Sequence, residues 1–432
     1  MDAATSLAGN VIGTGSPDAD LSPANLRGII DEALSQIEPG DKVLAIVPDK
    51  TRDDNTDLLF PFAAEILARK KVATFDALIA QGTHVRMTSA EKQAKLGVGD
   101  GESIPGLGQV FDHCWDDENE LVQIGELTAE RVAEITGGIF TEAIPIRINR
   151  LLGPGNYDHV LIFGATVPHE VAGFAGGAKY FFPGVSGREL TNMTHWLGAL
   201  AGIENTIGRI ETPTRHLIDA AAEFVTANVI CFTSVVVREN DDRLRACALF
   251  AGDARQSLRK GAEISSIVHI KYTGRRYRRV VALLDEHYDE LWVGGKASYK
   301  LGGIIEAGGE LIIYAPRLFC ISNTHGETIE KYGYGEISRI KRLVAESGEL
   351  QDNLCVAAHL AHVSYAGRQT EDGSIVPRYT ITLSSQIDEA TCLKVNLGYL
   401  DPNEFRREDY ENDPDTLIVE RAGRDLYLVE PF

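Results

Sequence analysis

The chain has 432 residues and a formal net charge of −21 at neutral pH. Its hydrophobic content of 44% and charged content of 24% are typical of a globular protein in water. The negative charge disfavours non-specific binding to nucleic acid or to an anionic membrane. At about 150 residues per domain, this length predicts two domains.

Six cysteines are scattered along the chain without a Cys-x-x-Cys pair. This pattern is typical of reduced thiols and not of a disulfide scaffold or a zinc ribbon. Apolar runs stay shorter than the roughly 20 residues that span a bilayer. The first ten residues lack the basic and apolar regions of a signal peptide. We therefore expect a cytoplasmic protein.

The first part of the chain alternates short apolar runs with amphipathic patterns. Residues 1–20, rich in Gly, Ser, Asp and Ala, are expected to form a flexible leader or an arm. Strands are predicted at 42–48, 73–81, 159–164 and 228–237. Helices are predicted at 57–70, near 214–225, and from Thr88, which can form a capping box with Glu91. This alternation predicts a doubly wound, mainly parallel sheet.

A second α/β series follows the basic segment 271–279, which is interpreted as an interdomain or solvated element and not as a nucleic-acid patch. Its strands are predicted at 280–284, 290–293, 310–314 and 354–358, with a helix at 328–347 and a β-hairpin at 415–429. A boundary near 275 divides the chain into domains 21–275 and 276–432. Each is expected to hold a mainly parallel sheet flanked by helices.

Polar side chains follow the first two predicted strands. In doubly wound folds, ligands bind beyond the carboxyl ends of the strands. After the strand at 42–48, Asp49 and Thr51 can cap the next helix, and Arg52 offers a planar fork for a carboxylate or phosphate. After the strand at 73–81, His84 is a candidate general base.

A glycine-rich segment follows the strand at 159–164. The segment and the helix after it carry backbone amide donors, a lysine and two imidazoles. These residues are His169, Gly176, Gly177, Lys179 and His195. Backbone amides at such a turn can bind an anion, the lysine can form a covalent bond, and imidazoles can ligate a metal or move a proton. The spacing matches neither a Walker A motif nor a dinucleotide fingerprint. A strand–helix turn with an exposed lysine is the alternative interpretation.

Together these motifs resemble the nickel-dependent lactate racemase family. The similarity comprises Asp-x-Thr-Arg at 49–52, Gly-Thr-His at 82–84, His-x₄-Phe-Ala-Gly-Gly-x-Lys at 169–179 and Thr-His at 194–195. Family members racemise 2-hydroxy acids with a nickel-pincer nucleotide, a pyridinium mononucleotide derivative. The resemblance implies an α/β protein of two domains, with its active site in the interdomain cleft and with cofactor-making and cofactor-inserting proteins as partners.

The resemblance also implies a role for each matched residue. Lys179 would attach the cofactor, and His195 would be the protein ligand of nickel. His84 and His169 would be the two acid/base residues, and Arg52, helped by Asp49, would hold the substrate carboxylate. The remaining matched residues, assigned to cofactor binding together with Lys179 and Asp49, are Thr51, Gly176 and Gly177.

The implied chemistry suits a 2-hydroxy acid. Its α-hydrogen is hard to remove as a proton beside an ionised carboxylate, whereas its removal as hydride gives a planar 2-keto acid that accepts it back on either face. The hydroxyl must lose its proton as the hydride leaves, so each enantiomer needs a base. Imidazole, with a reference pKa near ~6.5, serves as acid or base at neutral pH.

The chain departs from the family pattern in its second domain. The family has Gly-Gly-Tyr-Pro there, whereas this chain has Gly-Gly-Lys-Ala-Ser-Tyr-Lys at 294–300. Lys296, Tyr299 and Lys300 are candidates for substrate binding in place of the family residues. We therefore expect a larger 2-hydroxy acid than lactate, such as a sugar acid, an aryl acid or a dicarboxylate. The sequence leaves open whether three more histidines contact it: His325, His359 and His362.

Two other functions remain open from the sequence. One is a zinc-dependent lyase or hydrolase that uses His84, His169 and His195. The other is a non-catalytic protein that binds nickel or the nucleotide cofactor. Catalysis is favoured because two bases beside one metal site serve turnover better than storage.

Overall fold

The structure is a computed structural model that describes residues 11–99, 102–115, 117–239 and 242–432. The chain forms two compact units, each made of several segments. Unit 1 contains the chain up to Val167, Phe174–Thr194 and Ile210–Val268. Unit 2 contains Pro168–Gly173, His195–Arg209 and His269–Phe432. Two short segments thus interrupt unit 1 and place His169 and His195 in unit 2, which a single boundary near 275 does not anticipate.

Strands account for most of the core. They are β1 (Ile12–Gly15), β2 (Lys42–Pro48), β3 (Thr74–Ala80), β4 (Val110–Asp112), β5 (Leu121–Leu127), β6 (Ile144–Asn149), β7 (His159–Ala165), β8 (Pro168–His169), β9 (Gly173–Phe174), β10 (Asn228–Arg238), β11 (Leu244–Gly252), β12 (Ile270–Tyr272), β13 (Tyr277–Leu283), β14 (Ile305–Ala315), β15 (Gly367–Gln369), β16 (Ile375–Pro377), β17 (Thr380–Ser385), β18 (Gly398–Tyr399), β19 (Thr416–Val419) and β20 (Leu426–Leu428).

Helices flank these strands. They are α1 (Pro23–Ala33), α2 (Thr56–Lys70), α3 (Ser89–Lys95), α4 (Ala129–Thr136), α5 (Arg188–Ala201), α6 (Pro213–Ala222), α7 (Ala254–Val268), α8 (Leu291–Gly294), α9 (Lys296–Leu301), α10 (Gly326–Tyr332), α11 (Ile337–Glu346), α12 (Gly348–Asp352), α13 (Leu354–Val363), α14 (Glu389–Lys394) and α15 (Glu408–Glu411). Within the described ranges, no helix is long and apolar enough to cross a membrane.

A seven-stranded sheet forms the centre of unit 1, in the order β1-β11-β10-β7-β2-β3-β4. The strands from β10 to β4 are parallel, and β11 and β1 pair antiparallel at one edge. All seven residues of β7 and six of the seven in β2 are buried. Continuous apolar strands of this kind are typical of a parallel sheet covered on both faces, which confirms the predicted fold class.

The N-terminal leader is corrected where the structure describes it. Residues 12–15 form β1 and pair with β11, since their backbone extends the antiparallel edge of the sheet. The predicted flexible leader is therefore wrong for this part, and residues 1–10 lie outside the described residues. By contrast, the capping box of Thr88 and Glu91 at the start of α3 is confirmed.

A second sheet organises unit 2, in the order β18-β17-β14-β13-β19, and its strands are parallel. Two predicted strands are wrong. The residues at 290–293 mostly belong to α8, and those at 354–358 belong to α13. A short apolar run has the same composition in a buried strand and in a helix that is buried all round, so apolarity alone cannot separate them.

Three further predictions for unit 2 need correction. The helix expected at 328–347 is divided into α10 and α11 by a turn at Gly333, whose φ of +66° ends α10. The tail is not a hairpin, because β19 pairs with β13 whereas β20 pairs with β12 in another sheet. The basic segment 271–279 is not an interdomain element, because it lies within unit 2 and contributes to both β12 and β13, but most of its residues are exposed, as the alternative of a solvated element predicts.

Candidate active site

Three segments of unit 1 meet beyond the carboxyl ends of β2, β3 and β7. The loop after β3 is joined to the glycine-rich segment by a hydrogen bond in which the Gly82 N–H donates to the Gly184 carbonyl oxygen at 3.0 Å. The short 3₁₀ helix Gly177–Tyr180, which carries Lys179, packs against β2 and β7. The three segments therefore lie next to one another at this edge of the sheet of unit 1.

A buried carboxylate holds His84. Asp49 is 3% exposed, and its Oδ2 lies 2.5 Å from Nδ1 of His84. The other carboxylate oxygen accepts hydrogen bonds from Thr51, at 2.9 Å from the amide and 2.6 Å from the hydroxyl. An ionised Asp49 favours the tautomer with a proton on Nδ1, which leaves Nε2 to exchange a proton. His84 thus has the environment of an oriented general base.

The pKa of Asp49 confirms that its charge is stabilised. Burial alone raises the pKa of this carboxyl. The charge and hydrogen bond of His84, the charge of Arg52 and the hydrogen bond of Thr51 outweigh burial and hold the pKa well below its usual range. Asp49 is therefore ionised at neutral pH. Its contact is with His84, and Thr51 supports this carboxylate, whereas the resemblance assigned both residues to the cofactor.

Arg52 lies half-buried beside this pair. Its carbonyl oxygen accepts a hydrogen bond from Nζ of Lys95 at 3.0 Å, and the same ammonium lies 2.8 Å from the Asp54 carboxylate. The loop after β2 is thus fixed to α3 by a nearly buried ion pair. The Arg52 side chain therefore extends from a fixed backbone, as a guanidinium that binds a substrate carboxylate requires.

His113, a buried histidine that the sequence analysis did not select, stabilises the same region. The Gln81 side-chain amide donates to the carbonyl oxygen of His113 at 2.9 Å, and Nε2 of His113 lies 3.0 Å from the carbonyl oxygen of Ser186. His113 is buried, so these bonds form away from water. They tie the end of β3 to the turn after the glycine-rich segment.

The glycines of that segment serve packing. Gly176 has a φ of +99°, and a Cβ there would lie 2.8 Å from Oγ1 of Thr166. Gly177 has a φ of +61°, and its backbone hydrogen-bonds to the thiol of Cys231. An anion at the Gly177 amide would therefore compete with the buried thiol for the same N–H. Both glycines allow the segment to approach β7 and α7.

An arginine holds the glycine-rich segment in place. Arg215 on α6 is buried, and its guanidinium donates to the carbonyl oxygens of Phe174 at 2.5 Å and Gly176 at 3.3 Å. Burial lowers the pKa of Arg215 relative to that of an exposed guanidinium, whereas the charge of Asp219 raises it by a smaller amount. No sequence pattern marks this residue, because its partners lie about 40 positions away along the chain.

In unit 2, His169 lies buried in β8. Its Nδ1 accepts a hydrogen bond from the Val171 amide at 3.1 Å, and the Glu170 carboxylate lies 3.4 Å from the same nitrogen. A ring that accepts at Nδ1 carries its proton on Nε2 when neutral. His169 and His84 thus present opposite tautomers, one with a proton on Nε2 and one without.

Four histidines of unit 2 form an imidazole cluster: His195, His325, His359 and His362. His359 is flanked by the other three, and burial together with these neighbours lowers its pKa well below its usual range. The ring of His362 hydrogen-bonds to the backbone of Gly198, one turn beyond His195 on α5. His359 and His362 lie on α13, not after a strand, and both face α5 and its neighbours.

The predicted substrate lysines lie on α9. Lys300 is 6% exposed, and its ammonium donates to the carbonyl oxygen of Arg424. Tyr299 is also buried, whereas Lys296 is half-buried. The Lys300 ammonium therefore stabilises the turn before β20, and the substrate-binding role of these three residues stays a prediction.

Comparisons with known proteins show similarity to lactate racemases. Residues 25–208 match the lactate racemase N-terminal domain. The lactate racemase of Thermoanaerobacterium thermosaccharolyticum is 27% identical over 237 residues, which are 54% of this chain and 50% of that protein. The first half of the chain is thus similar to lactate racemases. The match spans about half the length of this curated relative, so the activity of the whole protein is left to be proposed.

Two solved structures resemble the chain along nearly its whole length. A protein from Thermotoga maritima is 32% identical, with a TM-score of 0.85, and the match covers 94% of this chain and 98% of that one. The lactate racemase apoprotein from T. thermosaccharolyticum is 18% identical, with a TM-score of 0.70, over 98% and 100% of the two chains. The second likeness shows that the fold is shared.

The side chains present could hold a metal only together with a cofactor. Within the described ranges, no group of three or more His, Cys, Asp or Glu side chains is arranged to hold a metal ion. A nucleotide that supplies most of the ligands of its own metal would need only one ligand from the protein. A single histidine such as His195, with a lysine at position 179, fits that requirement.

Proposed function

We propose that the chain is a racemase or epimerase of a 2-hydroxy acid that works with a nickel-pincer nucleotide. The observation that carries the proposal is the 2.5 Å contact between the buried Asp49 carboxylate and His84, at the positions of two family motifs. A histidine oriented by an ionised carboxylate is the arrangement expected of a general base. Lys179, on the third motif, is the attachment point for the cofactor.

When bound, the cofactor supplies a hydride acceptor beside nickel. His84 takes the hydroxyl proton of one enantiomer at Nε2, because Asp49 keeps the other ring nitrogen protonated. The positive charge that develops on the ring is stabilised by the same carboxylate, which contributes to a rate effect of about 10² to 10⁴ for a positioned base.

His169 performs the matching step for the other enantiomer. In its neutral form it presents an N–H at Nε2, which can donate to the hydroxyl or carbonyl oxygen of the substrate. The Glu170 carboxylate 3.4 Å from Nδ1 stabilises the ring when it becomes charged. Racemisation needs one residue that takes a proton and a second residue that returns one. At the start of the cycle, His84 is the base and His169 is the donor.

Two further residues bind the substrate and the metal. Arg52 receives the substrate carboxylate, held by the Lys95 contacts described above, and His195 is the ligand for nickel. A cytoplasmic location and proteins that make and insert the cofactor belong to the same proposal. The substrate is a small 2-hydroxy acid, and the change at 294–300 favours one larger than lactate.

The test uses protein produced together with the enzymes that make the cofactor. We expect a pyridinium nucleotide on the peptide that contains Lys179, detected by its mass, and nickel bound to the protein. Lys179→Ala removes the adduct, and His195→Ala lowers the nickel content while the adduct remains. An unmodified Lys179 in protein without nickel contradicts the proposal and favours a zinc enzyme or a carrier protein.

A further inference from the structure

The connections of the seven-stranded sheet change direction between β2 and β7. From β2 the chain continues through α2 to β3, the neighbour of β2 on one side, and from β7 it returns to β10, the neighbour of β7 on the other side. β2 and β7 are themselves parallel neighbours. In open α/β sheets, ligands bind in the crevice beyond the carboxyl ends of the two strands at such a point. The loop after β2, which carries Arg52, lies at this crevice.

The side chain of Tyr180 ends at the same crevice. Tyr180 is the last residue of the 3₁₀ helix Gly177–Tyr180, which packs against β2 and β7. A Cβ on Gly164, the penultimate residue of β7, would lie 2.1 Å from the hydroxyl oxygen of Tyr180 and 2.2 Å from its Cζ. The phenol therefore lies directly on the β7 backbone, in space that a side chain at position 164 would fill.

The charges of the loop after β2 act on the Tyr180 hydroxyl. Burial raises the pKa of this phenol well above its usual value, the charges of Asp54 and Asp49 add to the rise, and the charge of Arg52 opposes it. The hydroxyl therefore lies near the loop that carries these three side chains. Because its pKa is raised, the phenol stays protonated at neutral pH and acts as a hydrogen-bond donor, not as a base.

This donor is available to a ligand. Tyr180 is half-buried, and among the described residues none hydrogen-bonds to its hydroxyl oxygen, which is also not one of the polar atoms closed off from solvent. The nearby carboxylates have other partners, since Asp49 contacts His84 at 2.5 Å and Asp54 contacts the Lys95 ammonium at 2.8 Å. The Tyr180 hydroxyl is thus a positioned donor at the crevice.

We propose that the Tyr180 hydroxyl donates a hydrogen bond to the substrate carboxylate that Arg52 binds. This inference rests on the proposed function and adds a residue to its substrate site. A carboxylate has about four lone-pair sites, so the guanidinium fork of Arg52 leaves room for the phenol as a further donor. The carboxylate keeps its charge throughout the reaction, so this bond stabilises the ground state and the transition state equally. Its loss therefore raises KM and leaves kcat unchanged.

Tyr180→Phe removes the hydroxyl and keeps the ring on Gly164. In the full chain loaded with cofactor, we expect KM for the racemised 2-hydroxy acid to rise about tenfold, while kcat stays within about threefold of wild type. The fraction of Lys179 that carries cofactor, measured by mass, should not change. A KM within about twofold of wild type overturns the proposal. A lower fraction of modified Lys179 also overturns it, because the hydroxyl would then bind the cofactor and not the substrate.

Tyr157→Phe is the matched control. It removes a phenol hydroxyl of unit 1 that donates to the Asp76 carboxylate on β3 at 2.7 Å, away from the carboxyl ends of the strands. We expect KM of this variant to stay within about twofold of wild type. An equal rise of KM in both variants would indicate a general effect of losing a phenol hydroxyl and would contradict a contact between Tyr180 and the substrate.

A second readout does not depend on turnover. Fluorotyrosine at position 180, with the fluorine next to the hydroxyl, reports on that hydroxyl by fluorine NMR in the full chain produced with the cofactor-making enzymes. The probes are L-lactate, which has the carboxylate and hydroxyl of every 2-hydroxy acid, and L-lactamide, in which a neutral amide replaces the carboxylate. We expect lactate to shift the signal in a saturable way and lactamide to leave it in place. No shift with lactate up to about 100 mM, or equal shifts with both, overturns the proposal.

The outcomes separate this inference from the proposed function. If the loaded enzyme racemises a 2-hydroxy acid but Tyr180→Phe leaves KM unchanged, the function stands and the contact is wrong. If lactate shifts the fluorine signal and lactamide does not, but no 2-hydroxy acid changes configuration, the contact stands and the proposed reaction is wrong.

Discussion

The contact between Asp49 and His84 gives the most informative mutation. Asp49→Asn keeps the size of the side chain but removes the charge that holds Nδ1 protonated. The new amide can donate to Nδ1, which fixes the opposite tautomer and places a proton on Nε2, where the base must be free. Because a positioned base contributes about 10² to 10⁴ in rate, kcat should fall by a factor in that range.

The same substitution should lower stability by an amount that depends on pH. The pKa of Asp49 is depressed in the folded protein, so its contribution is present above the unfolded pKa near ~3.9 and is lost as pH falls through the lower, folded value. A hydrogen bond between charged groups contributes about 1.5 to 3 kcal/mol. We expect Asp49→Asn to lose about 2 kcal/mol of unfolding free energy at neutral pH.

Two assays decide the matter. Racemisation is followed by polarimetry or chiral chromatography on loaded enzyme, and unfolding by urea at neutral and acid pH. Thr51→Val is the matched control, because it removes one hydroxyl bond to Asp49 and leaves the contact with His84. It should cost about 1 kcal/mol and change kcat less than about fivefold. Activity of Asp49→Asn within about threefold of wild type would refute the role of this carboxylate.

Three further substitutions test the supports of the site. Arg215→Met should lower the free energy of unfolding by about 3 kcal/mol in urea titrations, since two buried carbonyl oxygens lose their donor; a loss under about 1 kcal/mol would contradict this. Gly176→Ala, at a φ of +99°, should cost about 1 to 3 kcal/mol and reduce the fraction of Lys179 that carries cofactor, measured by mass. Lys300→Met should cost about 1 kcal/mol and, if Lys300 binds substrate as predicted, raise KM about tenfold; a KM within about twofold of wild type would contradict that contact.

The sequence predicts the parallel core well because the signal is local. β2, β3, β7 and β10 are continuous apolar runs between polar turns, and each is found within one or two residues of its predicted bounds. The errors occur where the local signal is ambiguous. All of α13 except its first residue is buried, so it lacks the polar face that distinguishes a helix from a buried strand.

The site is only partly predictable for a different reason. Motif order places Asp49 and His84 at neighbouring strand ends, but their pairing depends on the register of β2 and β3 and not on sequence distance. The placement of His169 and His195 in unit 2 follows from two short segments that leave unit 1, which no composition shift marks. His113 and Arg215 bind backbone atoms far along the chain, and such contacts have no sequence pattern.

The central claim is that configuration is inverted by removal and return of hydride. The measurement is racemisation of a 2-hydroxy acid labelled with deuterium at C2, in ordinary water, by protein loaded with cofactor. The account predicts that both enantiomers of the product retain deuterium, because the hydride leaves and returns without exchange. Complete replacement by hydrogen from water would show proton abstraction at C2 and contradict the account.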